Sequence, residues 1–258
     1  MRCIFCKQDS SGSASREHII PESLGNTQHV LPKGVVCDRC NNYFARKIEG
    51  PLLETSFFKQ LRSRQGIQNK RGHVPPIGAI FPSIGVHADV WFNGSWIHFA
   101  ADTEATLKEL EDSIVRRKTK QFIIQFPQEP DRRLMSRFLG KVALEVLAQR
   151  LSHVPGWESE IIDKTEIDPL RNFVRLGNGP GIWPFKARFL HHEDQIHIDG
   201  TERYQVLHEF TLLYTDENIL FLVLSLFGIE FVINFTTPDI KPYEVWLKQN
   251  NEKSPLYM

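Results

Sequence analysis

The sequence has no cysteine after residue 40, no net charge and no long uninterrupted apolar run. Its four cysteines all fall within the first 40 of 258 residues, and the other 218 residues contain none. Disulfide frameworks are typical of small secreted domains that carry cysteines throughout. The distribution therefore excludes a disulfide framework for most of the chain and indicates another use for the four thiols.

The most apolar segment, residues 220–235, is interrupted by Gly228 and Glu230. A membrane-spanning helix needs about 20 consecutive apolar residues, so we predict two buried strands around a turn instead. The first ten residues, MRCIFCKQDS, lack the apolar centre of a secretion signal. The sequence therefore predicts a cytoplasmic protein with no membrane partner.

Basic and acidic side chains number 31 each, so the whole chain has no formal net charge. They are unevenly placed. Residues 1–75 contain twelve basic and six acidic side chains, a net of +6, and the remainder contains 19 and 25, a net of −6. A basic N-terminal region on an acidic body is expected where only that region contacts a polyanion. Ordinary variation between solvated surfaces is the alternative.

The cysteines form two Cys-x-x-Cys pairs. Two residues between cysteines suit a knuckle in which both sulfurs face one tetrahedral zinc ion. We therefore predict a structural Zn²⁺ site on Cys3, Cys6, Cys37 and Cys40.

The predicted elements divide the chain into a small module and a larger domain. Apolar residues recur at helical spacing from Phe44 to Leu53, and Gly50-Pro51 is expected to end that helix. Residues 61–75 are polar, basic and punctuated by glycine and proline, as in a linker. We predict an N-terminal module over residues 1–60, a linker over 61–75 and an α+β domain over 76–258.

The larger domain mixes helical and strand patterns, and its sheet is predicted to be mostly antiparallel. Residues 85–100 predict a hairpin that turns at Asn93-Gly94, and residues 131–151 have the apolar spacing of a long helix. Thr103 is the expected N-cap of a further helix. The remaining elements are helices at 103–118 and 168–177 and strands at 121–126 and through the rest of the chain to 258.

The segment between the cysteine pairs is unusual for a purely structural zinc site. Residues 16–21 read REHIIP, and the second pair is followed by Asn41-Asn42. With the cysteine pairs in this order, residues 1–55 closely resemble the zinc-bound branch of the HNH endonuclease family. The resemblance implies a ββα-metal, treble-clef-like module in which a β-hairpin and a helix flank a divalent metal.

The resemblance assigns roles to three residues. His18 would be the general base, since imidazole accepts protons readily near neutral pH. Glu17 stands where the family has Asp, and would bind Mg²⁺ or Mn²⁺, which favour oxygen donors. Asn41 stands for the family's final His or Asn as a second ligand, and capping the helix is its alternative role. Consecutive strand residues face opposite sides, so Glu17 and His18 need a bend to face the same ion.

Exposed cations near such a site are candidates for contacts to backbone phosphates. In this module they are Arg16, Lys33, Arg39, Arg46 and Lys47.

Two positions depart from the family pattern. The middle Asn, which orients the base in the family, is expected where residues 29–34 read HVLPKG. Its role is vacant or passes to Asn26, Gln28 or His29. The helix position that carries a further metal-ligating side chain in some members is Ala45, which cannot serve.

These features predict a metal-dependent endonuclease that hydrolyses phosphodiester bonds of nucleic acid, with double-stranded DNA as the expected substrate and a restriction or phage-defence role. A zinc-scaffolded nucleic-acid-binding or interaction protein without catalysis is the alternative, and a ribonuclease is a third hypothesis. The acidic residues 76–258 are expected to bind a protein partner or a second copy. The histidines at 191–197 are interpreted as a polar turn rather than a second metal site.

Overall fold

The computed structural model describes residues 1–69, 71–93, 96–199 and 201–258. They form a mixed structure of helices and antiparallel sheets, as predicted. Two compact units are present, and each is built from separate stretches of chain. The first unit contains residues 1–21, 26–52 and 131–258, and the second contains 22–25 and 53–130.

The helices and strands follow in chain order. The helices are α1 (Asp38–Phe44), α2 (Gly50–Leu53), α3 (Ser56–Arg64), α4 (Glu104–Val115), α5 (Arg132–Leu151), α6 (Trp157–Ile162), α7 (Asp168–Leu176) and α8 (Lys241–Gln249). The strands are β1 (Ile77–Phe81), β2 (Val86–Asn93), β3 (Trp96–Ala100), β4 (Ile123–Ile124), β5 (Phe185–Phe189), β6 (Ile196–Asp199), β7 (Glu202–Gln205), β8 (His208–Tyr214), β9 (Leu220–Leu226) and β10 (Ile229–Asn234). No helix among the described residues is long and apolar enough to cross a membrane.

The compact units do not follow the predicted boundaries at residues 60 and 76. Helix α3 occupies the first part of the predicted linker. Residues 131–258 group with the N-terminal module, and residues 76–130 do not. Charge contributes to this grouping, because Lys7 of the first cysteine knuckle forms an ion pair of 2.8 Å with Asp168 of α7. Periodicity predicts which elements form, but it does not predict which elements pack together.

The helix after the second cysteine pair runs further than expected. A π-helical turn, Ala45–Glu49, joins α1 to α2, so the predicted end at Gly50-Pro51 is wrong. Pro51 has no N–H to donate to the preceding turn. The wider turn accommodates this loss, since the Gly50 N–H bonds to the Ala45 carbonyl five residues back.

The long helix α5 forms the centre of the first unit and confirms the prediction for residues 131–151. Asp131 caps it by accepting a hydrogen bond from Leu134 N at 2.7 Å. Helix α5 packs against α7, β9 and β10. Gly140 allows the close approach to α7, because a Cβ atom there would lie 2.6 Å from Val174 Cγ2.

Each unit contains a four-stranded antiparallel sheet. The order in the first unit is β5-β10-β9-β8, and β9 and β10 are the two strands predicted around Gly228. The order in the second unit is β3-β2-β1-β4, in which β2 and β3 confirm the predicted hairpin. The predicted turn residue Gly94 lies outside the described residues. Thr103 caps α4, as expected, by accepting from Thr106 N.

Two predicted strand regions need correction. The strand predicted over residues 121–126 is reduced to β4, which pairs with β1 over two residues. The C-terminal region ends in helix α8 and not in a strand. Tyr243 and Leu247, four residues apart, place one face of α8 against Phe221 of β9, which gives the helix its buried side.

Arg171 of α7 ties this helix to the first cysteine knuckle. Its side chain is 1% exposed, and its Nε and Nη2 atoms donate to the carbonyls of Ile4 and Ile161 at 2.7 and 2.6 Å. Asp168 forms an ion pair with Nη1. Burial lowers the pKa of Arg171 to about 10, so the guanidinium still carries its charge at neutral pH.

Replacing Arg171 by methionine is expected to lower the free energy of unfolding by about 2–4 kcal/mol, because two buried carbonyls lose charge-assisted donors. Urea denaturation of the zinc-loaded protein measures this loss. Arg150→Met on the exposed side of α5 is the matched control, and it should change stability by less than about 0.5 kcal/mol. Equal stability of the two variants would refute the bracing role of Arg171.

Candidate active site

The four cysteines come together, as predicted. Their Sγ atoms all lie within 4.8 Å of one another, and those of Cys6 and Cys37 are 3.6 Å apart. A tetrahedral zinc ion with Zn–S bonds of about 2.3 Å holds its sulfurs about 3.8 Å apart. The donor set, with Cys3 and Cys40 buried, therefore fits a structural Zn²⁺ ion.

Backbone hydrogen bonds prepare these sulfurs to carry negative charge. Cys37 N donates to Cys3 Sγ at 3.3 Å, and Cys40 N donates to Cys37 Sγ at 3.4 Å. The hydrogen bond shared with Cys40 lowers the pKa of the Cys3 thiol to about 5, and the same bond raises the pKa of Cys40. Since the thiolate is the ligand form, the lowered pKa of Cys3 favours zinc binding.

His18 lies on a short antiparallel bridge with Val30. Ile19 N donates to the His29 carbonyl at 3.1 Å, which fixes the backbone directly after His18. The His18 side chain is half-buried, and its Nδ1 atom is buried without a hydrogen-bond partner among the described residues. A partner on one ring nitrogen normally sets the tautomer of a catalytic histidine. The lack of such a partner on His18 Nδ1 agrees with the missing middle Asn of the family pattern.

Glu17 does not share the surroundings of His18. Its side chain is 5% exposed, and its Oε1 atom lies 2.7 Å from Nζ of Lys141 on α5. Glu17 is thus buried, whereas His18 is half-buried. Sequence reasoning missed Lys141. The available signal was a charged pair, Lys141 and Glu145, within the otherwise apolar stripe of the long helix.

Asn41 lies beside the segment that carries His18. Its Nδ2 atom donates to the Arg16 carbonyl at 3.2 Å, which leaves Oδ1 as the atom that could meet an ion. The alternative role as helix cap is wrong, because Cys37 is the N-cap of α1 and its Sγ accepts from Cys40 N. Asn41 therefore follows the cap within the helix and is available to the site.

The residues considered as substitutes for the middle Asn have other contacts. Asn26 is fully buried, and its Nδ2 atom donates to the carbonyls of Ile20 and His29 at 2.7 and 3.0 Å. Its Oδ1 atom accepts from the backbone N–H groups of Gln28 and His29. The His29 ring packs edge-on against Phe210, with 4.7 Å between centroids. Asn26 therefore braces the loop and does not orient His18.

The predicted phosphate-binding residues remain available at the surface. All five are exposed: Arg16, Lys33, Arg39, Arg46 and Lys47. Three other cations of the module form ion pairs, since Arg2 pairs with Asp163 at 2.8 Å, Lys7 pairs with Asp168, and Lys59 pairs with Glu54. The exposed positive charge of the five predicted residues is of the kind that attracts a polyanion.

Residues 3–57 match the HNH endonuclease family model. The N-terminal module is an HNH domain. No curated protein and no solved structure shows significant similarity to the chain. This match supports the interpretation of the protein as a nuclease that acts on nucleic acid. Residues 58–258 lie outside the matched range.

The ligands predicted for a catalytic ion are few. Within the described ranges, only the four cysteines bring three or more His, Cys, Asp or Glu ligand atoms to the spacing of one ion. Glu17 and Asn41, the predicted ligands, would add one carboxylate and one amide oxygen. Such a set is compatible with Mg²⁺, which usually keeps several waters and binds one or two carboxylates together with substrate phosphates.

Proposed function

We propose that this protein is a metal-dependent endonuclease that hydrolyses phosphodiester bonds, with double-stranded DNA as its substrate. The observation that supports the proposal is that His18 belongs to a zinc-binding HNH domain in which the Arg16 carbonyl, two residues before His18, accepts from Asn41, and whose surface carries exposed cations. Zinc folding alone requires no histidine at this position. A restriction or phage-defence role and a cytoplasmic location belong to the same proposal, as does a protein partner or second copy bound through residues 76–258.

In the proposed reaction, His18 takes a proton from water, and the water oxygen attacks phosphorus in line with the leaving 3′ oxygen. The P–O3′ bond breaks and the leaving 3′ oxygen takes a proton from a solvent water, so the products carry a 5′-phosphate and a 3′-hydroxyl, and the proton on His18 returns to solvent. A Mg²⁺ or Mn²⁺ ion bound by Glu17 and Asn41 would supply positive charge for the phosphorane-like oxygens and the leaving oxygen. Arg16 and Arg39, which are exposed, would hold flanking phosphates.

A substrate panel tests this function. Zinc-loaded protein is incubated with supercoiled plasmid, single-stranded DNA and structured RNA, each with Mg²⁺, with Mn²⁺ or with neither ion added. The proposal predicts nicking and linearisation of the plasmid that depend on the divalent ion. Cleavage of RNA alone would replace DNA by RNA as the substrate. Intact substrates throughout would remove the enzyme proposal.

A binding protein without catalysis is the second candidate, and two observations favour it. The buried Nδ1 atom of His18 has no partner among the described residues, and Glu17 forms an ion pair with Lys141. Tight, salt-dependent DNA binding by a zinc-loaded protein that never cuts would support this candidate.

The surface cations lead to a prediction that is independent of catalysis. Replacing Arg39 and Lys47 by alanine should weaken DNA binding and reduce the slope of log affinity against log salt by about 2, since each phosphate contact contributes about one. Fluorescence anisotropy between about 50 and 200 mM salt measures the slope. The control replaces Lys118 and Lys120, which are exposed in the second unit. An unchanged slope in the variant that lacks Arg39 and Lys47 would show that DNA binds to another surface of the protein.

A further inference from the structure

The ammonium group of Lys141 is fully buried and joins the long helix α5 to the HNH domain. Its Nζ atom lies 2.7 Å from Glu17 Oε1, 2.8 Å from Glu49 Oε1 and 2.9 Å from Glu145 Oε2. It also donates to the His18 carbonyl at 3.3 Å. Glu145 is on the same helix, whereas the other three contacts reach the HNH domain.

These contacts exceed what the helix needs for its own stability. Lys141 and Glu145 are four residues apart and could satisfy each other within α5. Buried ion pairs can often be replaced by apolar side chains without loss of stability. The additional contacts to Glu17 and His18 therefore indicate a role in fixing the geometry of the segment that contains both residues.

The backbone of this segment is held from three directions. The Arg16 carbonyl accepts from Asn41 of α1, the Glu17 carbonyl accepts from Leu31 N at 2.8 Å, and the His18 carbonyl accepts from Lys141. Three consecutive carbonyls are thus bound by three different elements. Since His18 Nδ1 has no hydrogen-bond partner among the described residues, no bond to that atom orients the ring, and the bonded backbone is what the structure shows holding this segment.

We propose that Lys141 is a positioning residue of the HNH domain, which holds the Glu17 carboxylate and the His18 carbonyl so that the imidazole faces the substrate. This inference rests on the proposed nuclease function. It gives part of the task of the missing middle Asn to a residue outside the matched range 3–57. Lys141 contacts one Glu17 oxygen, and a carboxylate oriented in this way is typical of metal ligands that are supported by an outer partner.

Two variants isolate this role. Glu145→Leu keeps Lys141, whereas Lys141→Met/Glu145→Leu removes the ammonium and one carboxylate together, which leaves the formal charge of the cluster at its wild-type value. Zinc content and a cooperative thermal melt establish that both proteins fold. Cleavage rate, the Mn²⁺ concentration for half-maximal rate and amide hydrogen exchange at residues 16–31 are then compared.

Relative to Glu145→Leu, the double variant is expected to lose about 10- to 100-fold in rate or in Mn²⁺ affinity. Exchange at the Ile19 and Leu31 amides should accelerate, while exchange in α7 stays the same. Equal rates and equal exchange in the two variants would reduce Lys141 to a packing role and overturn the proposal.

If the double variant does not fold, Lys141→Arg/Glu145→Ala takes its place, since the smaller alanine makes room for the guanidinium. The proposal then predicts wild-type exchange at Ile19, and accelerated exchange in this folded variant contradicts it. If no protein cuts any substrate, the nuclease function fails, and the exchange comparison still decides whether Lys141 fixes the His18 segment.

Discussion

Replacing Cys40 by serine is expected to remove zinc and unfold the N-terminal module. Cys40 is buried, and its sulfur is one of four that converge on one point. Structural zinc sites contribute on the order of 10 kcal/mol to folding, comparable with the whole stability of about 5–15 kcal/mol of a typical domain. Within residues 1–60, all of which the structure describes, the β pairing is limited to two short bridges, between Arg2 and Asp9 and between His18 and Val30. The module therefore depends on the ion.

Zinc content by mass spectrometry and thermal unfolding by circular dichroism measure this effect. The control is Cys6→His, because three cysteines and one histidine also make a tetrahedral zinc site and Cys6 is only half-buried. We expect one zinc per chain in wild type and in the control, and loss of zinc in Cys40→Ser. A Cys40→Ser protein that keeps a full equivalent of zinc and the wild-type melting temperature would be inconsistent with the four-cysteine site.

Replacing His18 by alanine is expected to reduce the cleavage rate by about 10²- to 10⁴-fold, the usual contribution of a general base. Zinc content and melting temperature should be retained, because the His18 side chain is half-buried and its backbone carries the contacts to Val30 and Lys141. Single-turnover cleavage with saturating divalent ion measures the change.

His153→Ala, at an exposed position after α5, is the control for loss of a histidine. Its cleavage rate should equal that of wild type. A His18→Ala protein that is folded, zinc-loaded and as active as wild type would remove His18 from the reaction and leave the site without a base.

The zinc centre was predictable from sequence because its ligands have a fixed local spacing. Two residues between cysteines bring two sulfurs together irrespective of the surrounding fold. The motif around His18 was likewise sufficient to identify the HNH domain, whose matched range begins at Cys3. The hairpin of β2 and β3 and the helix α5 followed from patterns within single segments.

The surroundings of Glu17 were not predictable in this way. Lys141 follows it by more than 120 residues and reaches it only because α5 packs with the module in the first unit. The π-helical turn at Ala45–Glu49 was missed for a related reason. Proline predicts a local break, whereas the packing of Glu49 against Lys141 favours a continued helix. Long-range ion pairs of this kind leave only a faint sequence signal, a charge within an apolar stripe.

The central claim is that this HNH domain hydrolyses phosphodiesters by activating water at His18. Cleavage of plasmid by zinc-loaded protein in ¹⁸O-labelled water, followed by mass spectrometry of the ends, tests it most directly. We predict ¹⁸O in a new 5′-phosphate and a 3′-hydroxyl on the other end, with at least about 100-fold less of this product from His18→Ala in the same time. Unlabelled ends, equal product from His18→Ala, or no cleavage by the folded wild-type protein would contradict the account.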